Sequence, residues 1–153
     1  MYKQQFDERH FRMDKIHIEE GSVQETLIIP LYGRKLCAEL FPTLYQDKYA
    51  AKICESIDYD FSQFKDKEKS AMYQFGALEG AMREKDMLWE IADYLKAHPN
   101  AAVVNLGCGL NMTGRTADNR TCCIYNLDFP DVIRSRNELV PEGDRGYGHH
   151  DGR

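Results

Sequence analysis

Apolar side chains recur at steps of three and four residues along the first hundred positions, which is the spacing of the buried face of an α-helix. The spacing predicts two or more helices before the charged and aromatic loop IDYDFSQFKDKEKS at 57–70, and two more helices after it. The predicted apolar faces are Leu27, Ile28, Leu31, Leu36 and Leu40; Tyr49, Ala50, Ile53 and Ile57; Ala71, Phe75, Leu78 and Met82; and Leu88, Ile91, Ala92 and Leu95. The last helix is expected to end at HPN, 98–100, because such residues are common where helices stop.

The pattern changes to that of strands after position 100. The run AAVVNL at 101–106 is apolar except for Asn105, as expected of a parallel strand covered on both faces, and TCCIYNL at 121–127 is a second β-prone run. The polar stretch LNMTGRTADNR between them has the length of a short helix and a turn, and Pro130 suits the first position of a helix over VIRSRNELV. This half of the chain is therefore expected to follow the order β-turn-α-β-α.

The stretch VVNLGCGLN at 103–111 breaks from an apolar run into a glycine turn. Glycines at the end of a buried strand let the backbone approach a ligand closely, and the next helix would direct its N–H groups at that ligand. Asp128 follows the second strand, 21 positions after Gly107, where a βαβ unit presents a carboxylate to ribose hydroxyls. Either signal alone has a local explanation, a turn or a helix cap, but their joint spacing favours a ligand site.

The position three residues after Gly109 discriminates between two nucleotide cofactors. A dinucleotide fingerprint has a third glycine there, and this chain has Met112. S-adenosylmethionine carries an adenosine without a phosphate, so it requires only the close backbone approach and the ribose carboxylate. The pattern favours S-adenosylmethionine, with an NAD-binding Rossmann protein as the alternative.

Composition and charge limit the possible partners. A chain of 153 residues with 42% hydrophobic content is long enough for one domain with a core. The net charge of −5 and the mixed charge pattern argue against a nucleic-acid partner. No apolar run reaches the roughly 18 residues that a membrane span requires, so a soluble, cytoplasmic protein without a membrane partner is expected.

The cysteines and histidines suggest no metal site or disulfide framework. The five cysteines are odd in number, contain no C-x-x-C pair and are expected to be buried free thiols; they are Cys37, Cys54, Cys108, Cys122 and Cys123. The segment HHD at 149–151 lies in a glycine-rich stretch, and 146–153 is expected to be a disordered tail.

Several segments together resemble the leucine carboxyl methyltransferase family, in the bacterial branch related to polyketide O-methyltransferases. They are ETLIIPLYGRKL, IDYDFSQF, HPNAAVVNLGCGLN and IYNLDFPDVI, within a resemblance that runs from about position 24 to 145. The resemblance implies an α/β fold in which a helical cap, 1–100, precedes the first β-α-β-α portion of a Rossmann-like methyltransferase sheet, 101–145. It also implies S-adenosylmethionine as the cofactor and methyl transfer to a carboxylate or hydroxyl oxygen.

The resemblance assigns roles to individual residues. Gly107, Cys108 and Gly109 would lie beside the methionine part of the cofactor, and Asp128 would bind its ribose. Arg83, in the segment AMRE, matches the cap arginine that pairs with the cofactor carboxylate, and a guanidinium is suited to that task.

Two further cap residues, Tyr32 and Arg34 in LYGRKL, would border the active site as substrate-binding residues. An equal alternative for both is ordinary packing on a helix. No catalytic acid or base is evident in the sequence. A hydroxyl acceptor would call for a base, whereas a carboxylate acceptor requires none. The acceptor is expected to be a small molecule or a carboxylate-bearing group.

Two departures from the family pattern affect the prediction. Asn111 stands where the family usually has aspartate after GCGL, and the resemblance ends at PEGDR, with only two strands evident. The sequence therefore predicts a truncated or frame-shifted form of a methyltransferase, either active or inactive on its own. It also predicts an oligomer that would cover the open sheet edge. A non-enzymatic interaction domain with a vestigial cofactor turn is a third hypothesis.

Overall fold

The computed structural model describes residues 15–18 and 21–140 of the chain. The elements in chain order are β1 (Ile16–His17), a 3-10 helix (Val23–Leu27), α1 (Ile28–Leu40), α2 (Ala50–Glu55), β2 (Ile57–Asp58), α3 (Ser62–Lys65), α4 (Ala71–Ala97), β3 (Ala102–Leu106), α5 (Thr113–Ala117), β4 (Cys123–Leu127) and α6 (Pro130–Leu139). This mixture of helices and small parallel sheets confirms the α/β class. The Rossmann-like assignment stays a prediction, and the tail at 146–153, with its HHD segment, lies outside the described residues.

Helix α1 packs against the 3-10 helix, α2 and α4. Ile28, Leu31 and Ile53 are almost completely buried in the main core, together with Leu110 from the glycine turn. A Cβ atom added to Gly33 of α1 would lie 3.8 Å from the Cα atom of Ala77, so the small residue brings the two helices close together. The helices before β3 and the glycine turn therefore share one core.

The prediction of two separate helices at 71–82 and 88–95 was wrong, because the structure has a single 27-residue helix, α4. The linking segment REKDM consists of residues that tolerate helix, without glycine or proline, so nothing interrupts the backbone. The predicted apolar face is only partly buried, and Phe75 is 64% exposed. Of the predicted face, Leu95 is buried, and the other buried residues of α4 are Ala77 and Ala81, which were not predicted.

The segment predicted as the loop 57–70 contains the short strand β2 and the helix α3. Ile57, which was assigned to a helical face, pairs with Ile16 in a parallel two-stranded sheet. The aromatic residues of this segment contribute to the core, because Phe64 is buried and stacks on the ring of Tyr32, with the ring centroids 5.2 Å apart. Two-residue strands are too short to produce a periodic signal in the sequence.

Strands β3 and β4 pair in parallel and in register, from Ala102 opposite Cys123 to Leu106 opposite Leu127. One face of the pair is covered, since Val103 and Ile124 pack with Leu95 of α4. On the other face Val104 is 50% exposed and Leu106 is 76% exposed, so the expectation of two covered faces was wrong for the described part of the chain. The expected oligomer at the open edge stays a prediction.

The helices on either side of β4 form where the sequence predicted them. Pro130 occupies the first turn of α6, as predicted, and α5 forms within the polar stretch between the strands. A Cβ atom at Gly114 would come within 2.8 Å of Ile124, so this glycine lets α5 lie directly on β4. Within 15–18 and 21–140, no helix is both long and apolar enough to cross a membrane.

Candidate functional site

The glycine turn after β3 requires glycine at two positions. Gly107 has φ +64° and Gly109 has φ +46°, both in the left-handed region where other residues are strained. The N–H groups of Gly107 and Cys108 donate to the carbonyl oxygen of Leu127, at 2.8 and 3.2 Å, which anchors the start of the turn to the end of β4. The turn is thereby held at the carboxyl edge of the sheet.

Asp128 links this edge to the turn through its carboxylate. Its Oδ2 atom accepts a hydrogen bond from the N–H of Gly109 at 2.8 Å, and its Oδ1 atom accepts one from the N–H of Phe129 at 2.8 Å. Each carboxylate oxygen has capacity for a further donor. The carboxylate can therefore shape the turn and still accept hydrogen bonds from a ligand.

Two buried arginines contact the carbonyl groups of the turn. Nη1 of Arg136 donates to the carbonyl oxygens of Gly109 and Asn111, each at 2.8 Å, and Nη2 of Arg34 donates to that of Leu110 at 2.8 Å. Sequence reasoning missed Arg136 because it lies in the polar string RSRNEL. Its position one turn after Val132 was the available signal, since it places the arginine on the apolar face of α6.

Arg34 also belongs to a buried charge cluster. Its Nη1 atom lies 3.2 Å from Oδ2 of Asp47 and 3.7 Å from Oε1 of Glu84. The hydroxyl of Tyr45 donates to Glu84 at 2.9 Å, and burial together with the nearby carboxylates raises the pKa of Tyr45, which keeps that hydroxyl protonated. The cluster fixes the guanidinium of Arg34 against the turn.

Three asparagine side chains connect the two strands to the turn. Nδ2 of Asn105 donates to Oδ1 of Asn126 at 3.0 Å and to Oδ1 of Asn111 at 2.9 Å. Oδ1 of Asn111 also accepts from the N–H of Thr113 at 3.2 Å. The side-chain oxygen of Asn111 thus receives two donors, at the position where the resemblance led us to expect an aspartate.

A cavity of about 1060 Å³ lies between the turn, the start of α1 and one side of α4. This volume is slightly above the roughly 300–1,000 Å³ of ordinary small-molecule sites. The α4 wall contains Gly76 and Gly80, where an added Cβ atom would meet open space. Exposed apolar side chains on the cavity wall include Ile29, Met72 and Met87.

The structure brings most of the predicted site residues to this one cavity. They are Arg34, Arg83, Gly107, Cys108, Gly109 and Asp128. The Arg83 side chain is 77% exposed, with Nη1 3.9 Å from Oε1 of Glu79, and so remains accessible to a ligand.

Tyr32 is not among the residues that line the cavity. It is buried, stacks against the rings of both Phe61 and Phe64, and donates a hydrogen bond to Glu68. Burial, followed by the contact with Glu68, raises the pKa of Tyr32, so the hydroxyl stays protonated. These contacts fit the packing alternative for Tyr32.

The chain is similar to the tetracenomycin polyketide synthesis O-methyltransferase TcmP of Streptomyces glaucescens, with 33% identity over 126 residues. The alignment covers 82% of this chain and 44% of the relative, so the chain spans less than half of the relative's length. The similarity confirms the resemblance to the polyketide O-methyltransferases that the sequence motifs indicated. No family model matches the chain, and no solved structure matches it.

Proposed function

We propose that the chain binds S-adenosylmethionine in the cavity above the glycine turn and takes part in methyl transfer to an oxygen atom of an acceptor. The observation that carries the proposal is the contact between Asp128 and Gly109. It places a carboxylate with spare acceptor capacity beside a turn that approaches a large cavity. The similarity to an O-methyltransferase supports the choice of chemistry.

The residues of the site fit the parts of this cofactor. Asp128 would accept hydrogen bonds from the ribose hydroxyls, because carboxylate oxygens accept two hydroxyl donors readily. The turn at 107–109 would lie beside the methionine part, and Arg83 would pair with its carboxylate through a charge-assisted hydrogen bond. When bound, the cofactor supplies a methyl group activated on a sulfonium, so the chain's task is to align the reactants and exclude water.

The acceptor is proposed to be a small molecule with an apolar body. Ile29, Met72 and Met87 present apolar surface to the cavity, and the glycines of α4 leave space beside them. Apolar walls with a few polar groups are typical of small-molecule sites. A carboxylate-bearing or polyketide-like acceptor would fit this surface, and the relative TcmP is a polyketide synthesis O-methyltransferase.

The NAD alternative is not favoured. Met112, at the place of the third glycine of a dinucleotide fingerprint, is buried in the main core, so its side chain occupies space that the fingerprint leaves to a glycine. The close approach of a helix to the strands is provided by Gly114 instead.

Isothermal titration of the chain with S-adenosylmethionine and S-adenosylhomocysteine tests the proposal, with NADH as the competing ligand. We expect binding of the first two, and binding that weakens about tenfold or more in Arg83→Met, because one charge-assisted hydrogen bond is lost. Lys96→Met is the matched control, since Lys96 is also an exposed α4 cation with an acidic partner, Asp93, and does not line the cavity. Tight binding of NADH without binding of either adenosyl ligand would overturn the proposal.

A further inference from the structure

Three consecutive carbonyl groups of the turn accept hydrogen bonds from buried guanidinium groups that belong to different helices. Arg136 of α6 holds the carbonyls of Gly109 and Asn111, and Arg34 of α1 holds the carbonyl of Leu110. We propose that Arg136 and Arg34 are positioning residues that hold the glycine turn in its ligand-binding shape before any cofactor arrives.

The contacts of Arg136 explain why a charged residue is buried on α6. Its exposure is 2%, and a guanidinium so far from water is stable only when polar groups replace its hydration. One nitrogen, Nη1, serves both carbonyls, and these belong to residues on either side of Leu110. A single atom therefore sets the separation of the two carbonyls and the bend of the chain between them.

Arg34 acts on the same bend from the side of the cap. Asp47 and Glu84 flank its Nη1 atom, which leaves Nη2 directed at the carbonyl of Leu110. A lysine in this place has one nitrogen and cannot hold both the carboxylate and the carbonyl in the geometry of a planar fork. Arg34 thus connects the cap, the buried charge cluster and the turn.

The two arginines bind only the carbonyl groups of the turn, so its N–H groups are available for other hydrogen bonds. The carbonyls of residues 109–111 are engaged by guanidinium groups, while the N–H of Gly109 binds Asp128 and the N–H of Asn111 donates to the carbonyl of Cys108 at 3.0 Å. A turn restrained in this way does not have to be ordered when a ligand binds, and preorganisation of this kind raises affinity. This consequence for affinity rests on the proposed function, whereas the restraint of the turn does not.

Hydrogen exchange of the unliganded chain tests the restraint directly. In Arg136→Met we expect the amides of Gly109 and Asn111 to exchange about tenfold faster or more, because two bonds to a charged donor are lost. Arg136→Lys keeps a single charged nitrogen at the end of a similar apolar stem, so it should retain most of the protection. Arg134→Met, on the exposed side of the same helix, should change neither amide.

A pure packing role for Arg136 makes a different prediction, namely equal exchange in the Met and Lys variants. That result, with amides of α4 unchanged in both, would overturn the proposal. If Arg136→Met does not fold, Arg34→Lys provides the second test, since it keeps the ion pair with Asp47 and loses the bond to Leu110. Unchanged exchange at Asn111 in a folded Arg34→Lys protein would equally contradict the proposal.

Measurements of ligand affinity distinguish a failure of this inference from a failure of the proposed function. We expect Arg136→Met to weaken S-adenosylhomocysteine about tenfold while 5′-methylthioadenosine, which lacks the amino-acid part, is affected less. If the unaltered chain binds neither ligand, the proposed function fails and the exchange experiment still decides on the restraint. If the unaltered chain binds both and Arg136→Met binds them equally well, the positioning role is overturned alone.

Discussion

The carboxylate of Asp128 accepts a hydrogen bond from the backbone N–H of Gly109 at 2.8 Å, although 19 positions separate the two residues. The two signals that indicate a site in the sequence, a glycine turn and an acidic residue after the next strand, are thus in direct contact. Asp128 has two tasks in this account. It fixes the turn through one interaction and would accept ribose hydroxyls with its remaining capacity.

The substitution Asp128→Asn separates these tasks. The amide oxygen can still accept from Gly109, but the NH2 group cannot accept from Phe129 or from a hydroxyl. We expect S-adenosylhomocysteine affinity to fall about tenfold or more, with the free energy of unfolding lowered by only about 1 kcal/mol. Titration calorimetry and denaturant unfolding measure the two effects. Asp131→Asn is the control, because Asp131 is an exposed carboxylate three positions further on, in the first turn of α6. Equal affinities of both variants would contradict the role of Asp128.

Replacement of Gly107 by alanine tests the turn geometry. The backbone has φ +64° there, and a Cβ atom costs roughly 1–2 kcal/mol in that conformation. No neighbouring atom lies within 4 Å of the added carbon, so the expected loss is due to backbone strain and not to a clash. Denaturant unfolding measures it, and an unchanged midpoint would show that the turn adopts another conformation in solution.

Two substitutions of Gly80 probe the cavity from the α4 side. Gly80→Ala should stabilise the helix by about 0.5–1 kcal/mol, because alanine loses less backbone entropy and the added carbon meets open space. Gly80→Leu should place a bulky side chain in the cavity and weaken an adenosyl ligand or an acceptor while the fold is kept. Thermal unfolding and ligand titration of both variants test this. Full ligand affinity in Gly80→Leu would place the ligand elsewhere.

The thiols should differ in reactivity. Four of the five are buried, whereas Cys123 lies on the exposed face of the β3–β4 pair, which corrects the expectation that all five are buried. Burial raises the pKa of the Cys54 thiol to about 12, so almost no reactive thiolate is present near pH 8. We expect iodoacetamide to modify Cys123 first, as read by peptide mass spectrometry. Faster modification of Cys54 than of Cys123 in the native protein would contradict the fold.

The sequence predicted the parts of the fold that have strong periodicity or punctuation. The strands β3 and β4 and the helix that begins at Pro130 are confirmed, because an apolar run, a glycine turn and a proline mark them. The continuity of α4 and the pairing of β1 with β2 were missed. The continuity of α4 follows from the lack of a helix-breaking residue between the two apolar patterns, which is not a positive signal in the sequence. The pairing of β1 with β2 joins segments some forty residues apart through two-residue strands.

The sequence indicated the backbone turn and the carboxylate of the candidate site. It did not indicate the side chains that contact the turn from distant positions in the chain. Arg136 and Asn126 contact the turn or its neighbours only after α6 and β4 have packed. For Arg34 substrate binding and ordinary packing were equal alternatives, and the structure engages both its terminal nitrogens with Asp47, Glu84 and Leu110. A polar residue in a polar string has no local signal of burial, since burial is decided by the tertiary packing.

The most direct test of the central claim is an NMR titration of the amide-labelled chain with S-adenosylhomocysteine. We expect saturable shifts at Gly107, Gly109 and Asp128, with smaller shifts along α4 near Arg83, and none at β1 and β2. These strands lie outside the cavity lining and serve as the internal control. Saturable binding with shifts elsewhere, or no shift at the turn at millimolar ligand, would contradict the claim that this cavity is an S-adenosylmethionine site.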